Sequence, residues 1–415
     1  MTDMVFAAQN GRVIPKEDKI FGINNRAKAM IAKEGKEKVI NATIGALLDD
    51  DGNLIVLSSV NDVFKSLSPV EYAEYAPISG VPGFREAIKK DLFRDFVPTR
   101  FTEAVASPGG TGAIRNTIAN YTVPGDKILV ADWFWAPYKT IANEIGRDLE
   151  TFEFFNGEGT FNCESFKAKI EKLLADQERL VIILNTPAHN PTGYSITEDD
   201  WTNIVAILNG VDSSKKIALL ADVAYADFAE DDENDSRKFL RYLEMLDDHV
   251  LPLVAHSLSK SYTLYGLRCG AVICMAKTEE VASEFKSALE YSSRGSWSNC
   301  ARAPQVILDK IYSDPELLQK VMDERKGYRD MLLERGAAFT KAAEEVNLEM
   351  VPFSAGFFAT IPASNPDAIS AELEKEGIFT VPLAKGVRVS LASISAEKCR
   401  TVAYAIKRVM DQLAK

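Results

Sequence analysis

Val250-Leu251-Pro252-Leu253-Val254-Ala255-His256-Ser257, running on into Leu258-Ser259-Lys260 and then Gly266-Leu267-Arg268-Cys269-Gly270, decides how this chain is read. Residues 250–257 predict a short apolar strand, which sets Lys260 just past a strand end, where a lysine can point into a cleft. Arg268 opens a second apolar run, Cys269 to Met275. Two strand ends thus bring an amine, a guanidinium and two hydroxyls together. That combination suits covalent capture of an aldehyde cofactor with neutralisation of its phosphate. A lone Ser-x-Ser-Lys is a weak signal, since most loop lysines are only solvated charges. The rest of the chain has to supply the case.

Working outward, short apolar runs alternate with helical patterns, the arrangement of parallel α/β proteins. Lys127–Ala131, Leu180–Leu184, Ile217–Ala221, Leu251–Ala255 and Cys269–Met275 are predicted strands. Ala113–Tyr121, Glu164–Leu174 and Glu198–Leu208 are amphipathic and can cross from one strand to the next. From Pro315 to Val346 a charged helical pattern leads away, followed by strand-like Gly356–Ile361 and Val387–Leu391 and a last helix, Ala396–Leu413. The expectation is an α/β fold with a doubly wound, mostly parallel sheet in a large domain, residues 56–315. A smaller α/β domain is expected from residues 316–415, joined by an N-terminal segment, residues 1–55.

The 415 residues suffice for one large core and a smaller one. A net charge of −12 argues against nucleic acid or an anionic membrane as partner, though not against small anions held by local arginines. Five cysteines without a CxxC pair, and only three histidines, argue against a zinc site. The odd cysteine count favours a reducing compartment. Met1 to Ile20 lacks a signal-peptide core and no run is long enough to span a bilayer. A cytoplasmic location is expected.

Five further stretches can carry chemistry. Ser107-Pro108-Gly109-Gly110-Thr111-Gly112 opens a helix, where free N–H groups and the positive dipole end suit an anion; an ordinary helix-starting turn explains the same residues. Asn185 to Gly193 follows a strand, and Pro191 and Gly193 can fix the Asn190 amide. Ligands gather at such strand ends, although a plain turn has the same composition. Asp222-Val223-Ala224-Tyr225 puts a carboxylate at a buried strand end, where it needs a partner to stay ionised. A protonated pyridine nitrogen is one such partner, and a helix cap is the bland alternative. Trp133-Phe134-Trp135 can stack on a flat ring or simply belong to the core. Arg388, in Val387-Arg388-Val389-Ser390, is costly in an apolar strand unless it meets a carboxylate or reaches solvent at an edge.

Taken in order, these stretches resemble the aspartate aminotransferase-like class I/II aminotransferases, fold-type-I pyridoxal-phosphate enzymes. Asn41-Ala42-Thr43-Ile44-Gly45, Tyr75 and Gly80-Val81-Pro82-Gly83 add to the resemblance, which covers nearly the whole chain. It implies that Lys260 binds the pyridoxal 5'-phosphate covalently and carries the catalytic proton, and that Asp222 keeps the ring nitrogen protonated. Tyr225 and Asn190 are implied on the phenolic oxygen, and Trp135 on the ring face. Gly110, Thr111, Ser257 and Arg268 are implied on the phosphate, reached also by Tyr75 from the neighbour in a homodimer with shared sites. Arg388, Asn190 and Gly45 would hold the substrate α-carboxylate, and Ile20-Phe21-Gly22-Ile23 resembles an entrance flap. The implied reaction is ping-pong transfer of an amino group between an L-amino acid and a 2-oxo acid.

In one respect the chain departs from the dicarboxylate-specific members. They place an arginine three residues before the Tyr-Ser motif, to hold a distal carboxylate. Here Tyr291-Ser292 has Ala288 at that position, with Lys286 and Arg294 displaced in register. Strict aspartate specificity is therefore not expected. A carbon–sulfur β-lyase or a decarboxylase on the same scaffold would share every cofactor residue. A non-catalytic ligand sensor is a more distant reading, opposed by the acidic charge and the lack of a helix-turn-helix extension.

Overall fold

The computed structural model describes residue 6, residues 19–230, residue 232 and residues 234–414; most of Met1 to Ile20, screened above for a leader, lies outside these. The chain divides into two compact units. One comprises residues up to Ile55, Ala188–Ser195 and Gly327–Lys415, and the other Val56–Pro187 and Ile196–Lys326. The boundary at Lys326–Gly327 falls inside one helix, Pro315–Glu345.

In the larger unit seven strands form a single sheet. They are β1 (Phe101–Ser107), β2 (Lys127–Ala131), β3 (Asp148–Phe152), β4 (Arg179–Asn185), β5 (Lys216–Asp222), β6 (Val250–Ser257) and β7 (Gly270–Ala276). Their spatial order is β1-β7-β6-β5-β4-β2-β3. Only β7 runs against its neighbours; the other adjacent pairs are parallel. The α/β class and mostly parallel sheet expected from the apolar runs are what the chain forms. All five predicted strands are present, with ends shifted by at most two residues.

The parallel strands read as continuous apolar runs because both faces are covered. From Leu180 to Asn185 every residue is buried. On one face the helix Gly109–Tyr121 sets Ile114 and Ile118 against Val105, Val181, Leu220 and Val272, joined by Phe285 and Leu289 of the helix Glu279–Ser296. The strand β3 was not anticipated. Its Asp148-Leu149-Glu150-Thr151-Phe152 is only partly buried, since it closes the sheet at an edge; charges blunt such edges and erase the apolar signal.

The register decides where chemistry can gather. Ser107 and Ser257 both pair with Gly270, and Asp222 pairs with Asn185 and with Ala255. The C-terminal ends of β1, β4, β5 and β6 therefore share one edge of the sheet with the start of β7.

In the smaller unit Val381–Pro382, Gly386–Ser390 and Phe358–Pro362 make an antiparallel three-stranded sheet, and Ile40–Asn41 pairs in parallel with Ile378–Phe379. Ala188–Ser195 joins this unit by its own bonds. Gly193 O accepts from Ser354 N and Ala355 N, and Thr360 Oγ1 donates to Pro191 O at 2.7 Å. Gly193 has φ of 77°, and an added Cβ would come within 2.3 Å of the Phe353 ring, so only glycine fits. The flap-like Ile20-Phe21-Gly22-Ile23 lies in the first turns of the helix Lys19–Glu34, with Phe21 exposed.

Candidate active site

Lys260 stands on a single helical turn, Leu258–Ser261, that begins directly where β6 ends. Ser257 caps that turn, its Oγ accepting Ser259 N at 3.2 Å. The half-buried lysine holds Nζ 4.6 Å from the ring centre of Tyr265 and 5.8 Å from that of Tyr225. Arg268, left-handed at φ 50°, donates from Nη1 to Ser259 Oγ at 3.1 Å and to Tyr265 O at 2.9 Å. Opposite it the helix Gly109–Tyr121 presents its N-terminus. A Cβ on Gly109 would come within 2.7 Å of Arg268 Nη2, while one on Gly110 would sit 3.6 Å from the Ser257 side chain. Two serine hydroxyls, a guanidinium and a helix N-terminus thus form a cradle, tightest at Gly109, where a side chain would press on Arg268.

Asp222 ends β5 with 6% of its surface exposed. Tyr138 Oη donates to Asp222 Oδ2 at 2.6 Å, and Ala224 N to Oδ1 at 3.3 Å. Burial pushes its pKa up to about 6, with the two hydrogen bonds pulling the other way. The strand end is braced through its backbone, where Asp222 O accepts from Asn185 Nδ2 and Thr186 N. Such a carboxylate favours a cationic neighbour, and a helix-capping role does not describe it: it sits at a strand end beside Tyr138. Tyr138 escaped the sequence reading because it lies 84 residues from Asp222, with no local pattern tying the two. It is fully buried, and its ring meets Trp135 edge-on at 5.5 Å, so one side chain braces both the carboxylate and the half-buried tryptophan. Tyr225, also buried, starts the turn after β5.

The smaller unit holds the second group. Arg388 is 4% exposed in the middle of its strand, paired with Thr360 and Val381. It is not an edge arginine reaching solvent. Nη1 donates to Asn190 Oδ1 at 3.2 Å and Nη2 to Thr43 O at 3.0 Å, and the guanidinium lies over the Phe358 ring at 4.3 Å. Gly45 is close by: a Cβ there would strike Phe358 Cζ at 2.7 Å. Arg388, Asn190 and Gly45 are thus brought together.

Tyr75 is 85% exposed, and Thr111 is exposed in the first turn of its helix. Ala288 is half-buried in the helix Glu279–Ser296, where Arg294 donates to Ser298 Oγ at 2.6 Å.

A family model described as aminotransferase class I and II matches residues 37–406. The chain belongs to that family. A solved aminotransferase from Anaerococcus prevotii is 38% identical, with a TM-score of 0.95 over 98% of this chain and 99% of that one. The mitochondrial aspartate aminotransferase of Schizosaccharomyces pombe is 28% identical over 403 residues, covering 94% of this chain and 88% of its own. A Burkholderia pseudomallei aromatic-amino-acid aminotransferase covalently bound to pyridoxal phosphate shares the fold, with a TM-score of 0.80 and 22% identity over 98% and 100% of the two chains. This aminotransferase is an enzyme that uses pyridoxal phosphate to transfer amino groups between amino acids and 2-oxo acids. Its residues fit the cofactor: the glycine-lined cradle matches a phosphate, and the buried acid beside Tyr138 matches a cationic ring nitrogen. No described helix is long and apolar enough to cross a membrane.

Proposed function

We propose that Lys260, Asp222 and Tyr225 carry the catalysis of this aminotransferase, and that its donors are uncharged or aromatic amino acids rather than aspartate alone. The observation that carries the site assignment is the placement of Lys260 one turn beyond β6, with Ser257, Arg268 and the Gly109–Gly110 helix start around it. When bound, pyridoxal phosphate supplies the aldehyde that takes the amino group and a protonated ring that draws electrons from Cα. Ser257, Gly110, Thr111 and Arg268 would hold the phosphate. Trp135 would lie on the ring face, and Tyr225 would donate to the phenolic oxygen. Asp222 holds the proton on the ring nitrogen. Lys260 would tether the cofactor through its amine and serve as the base that moves the proton at the substrate Cα. Arg388, with Asn190 and the backbone of Gly45, grips the α-carboxylate common to all donors.

The specificity reading rests on Ala288, which offers no charge for a distal carboxylate. A charge-assisted contact of that kind contributes a few kcal/mol, or roughly a hundredfold in selectivity. The test is kcat/KM for aspartate, glutamate, phenylalanine and alanine in the wild type and in Arg294→Ala. Phenylalanine or alanine at least matching aspartate is the expected result. A strong aspartate preference would sink the reading, and its loss in Arg294→Ala would show that Arg294 supplies the clamp.

A homodimer belongs to the same proposal, with Tyr75 reaching the phosphate of the neighbouring subunit. Phe64, Val70, Tyr72 and Tyr75 are all exposed within twelve residues, an apolar display that suits burial against a second copy. Sedimentation of the pure protein should give a dimer, and an active monomer would exclude shared sites. A cytoplasmic location completes the reading, supported by five cysteines that are all free thiols.

A further inference from the structure

Behind the cofactor segments lies a buried ionic cluster that the reaction itself does not use. At its centre is Asp91, on the helix Pro82–Phe93, with no exposed surface. Its Oδ1 accepts from Arg94 Nη2 at 2.7 Å, Tyr262 Oη at 2.9 Å and Tyr312 Oη at 2.6 Å, and its Oδ2 faces His256 Nε2 at 2.9 Å. A second buried carboxylate, Asp227, pairs with Arg237 at 2.6 Å and lies 3.6 Å from Arg325, which itself stacks over the Tyr262 ring. Burial alone would raise the Asp91 pKa; Arg94, His256 and Arg325 outweigh it and hold the pKa well below the carboxylate range.

Buried ion clusters of this kind add little stability over apolar packing of the same volume, because desolvation offsets the attraction. What they do confer is fixed geometry, and the chain positions say what is being fixed. His256 directly precedes Ser257, Tyr262 follows Lys260 by two residues, and Asp227 follows Tyr225 by two. Both ends of the segment that carries Lys260 therefore meet one carboxylate, Tyr262 by a hydrogen bond from 171 residues away and His256 by a 2.9 Å approach of Nε2 to Oδ2 from 165 residues away. From Tyr262 the tie runs on, since Thr263 Oγ1 donates to Tyr262 O and accepts from Leu57 N.

We propose that Asp91 is a positioning residue for cofactor capture: through His256 and Tyr262 it clamps both ends of the turn that presents Ser257 and Lys260. The inference rests on the assignment of Lys260 as the attachment site. Tyr312 provides an internal control. It donates to the same oxygen of Asp91 but comes from the helix Arg302–Ser313, which carries none of the proposed cofactor residues.

The experiment compares Tyr262→Phe with Tyr312→Phe in the full-length protein. Each change removes one hydroxyl from the same acceptor and leaves the ring, so similar losses in melting temperature are expected. The pyridoxal phosphate dissociation constant, read by absorbance titration of the stripped protein, should rise about tenfold or more in Tyr262→Phe and stay within about twofold in Tyr312→Phe. Borohydride trapping of bound cofactor should be slowed in the first variant only. His256→Gln loosens the other end and should behave like Tyr262→Phe, giving a second reading if that variant folds poorly. Equal effects on cofactor affinity from Tyr262 and Tyr312, or effects that merely follow melting temperature, overturn the proposal. Peptide mapping of the trapped wild type separates the two failures. A label on Lys260 with no difference between variants removes the clamp alone, whereas a label on another lysine removes the site assignment and the clamp with it.

Discussion

Replacing Lys260 with alanine is expected to reduce kcat by roughly 10³-fold or more while leaving the protein folded and able to bind pyridoxal phosphate. On the proposed assignment two functions would disappear together, the covalent tether and the group that moves the Cα proton. The folded state should tolerate the change, because Lys260 is only half-buried, on a single helical turn, with its Nζ over the Tyr265 and Tyr225 rings. Affinity should fall less than turnover, since Ser257, Arg268 and the helix N-terminus at Gly109–Gly110 remain to hold the phosphate. Borohydride reduction followed by peptide mapping should label Lys260 in the wild type and nothing in the variant. Turnover within tenfold of wild type in Lys260→Ala would end the assignment.

The second large effect is expected at Asp222. An Asp222→Asn side chain keeps the shape of the carboxylate and can still accept from Ala224 N, while its amide can donate to Tyr138 Oη. The fold should therefore survive. The negative charge does not. A hydrogen bond to a charged group contributes about 1.5–3 kcal/mol, and a desolvated ring cation without its counter-charge loses at least that much. The expected fall in kcat is roughly 10²-fold or more, with a smaller change in KM, because the interaction matters most when the ring must draw electrons from Cα. Near wild-type rates would reduce Asp222 to a structural strand terminus. Removing only the neighbouring hydroxyl, by Tyr138→Phe, should cost far less, because the charge on Asp222 is retained.

The fold was readable where its signal is local. Apolar runs bounded by turn residues marked the buried strands to within two residues, since strands covered on both faces need continuous apolar sequence. The same local logic set the candidate residues at strand ends, and there the structure has them: Lys260 after β6, Asp222 closing β5 and the glycines after β1. The edge strand β3 was invisible because an edge needs charges, and charges erase the pattern. The departure at Ala288 also needed only sequence, being the absence of a side chain at a fixed spacing.

By itself, then, the sequence determined the α/β class, the family, the cofactor and the order of the reactive segments, because each of these is written in short stretches of chain. Tertiary structure decided what those segments lean on. Asp222 and Tyr138 meet across 84 residues, Arg388 and Asn190 across 198, and Asp91 and Tyr262 across 171. None of these pairs leaves a periodic trace, since a hydrogen bond between distant residues depends on strand order and helix packing rather than on neighbours in the chain. Burial works the same way. Whether a carboxylate is solvated, lifted toward neutrality like Asp222 or held ionised like Asp91 follows from which charges the fold packs around it.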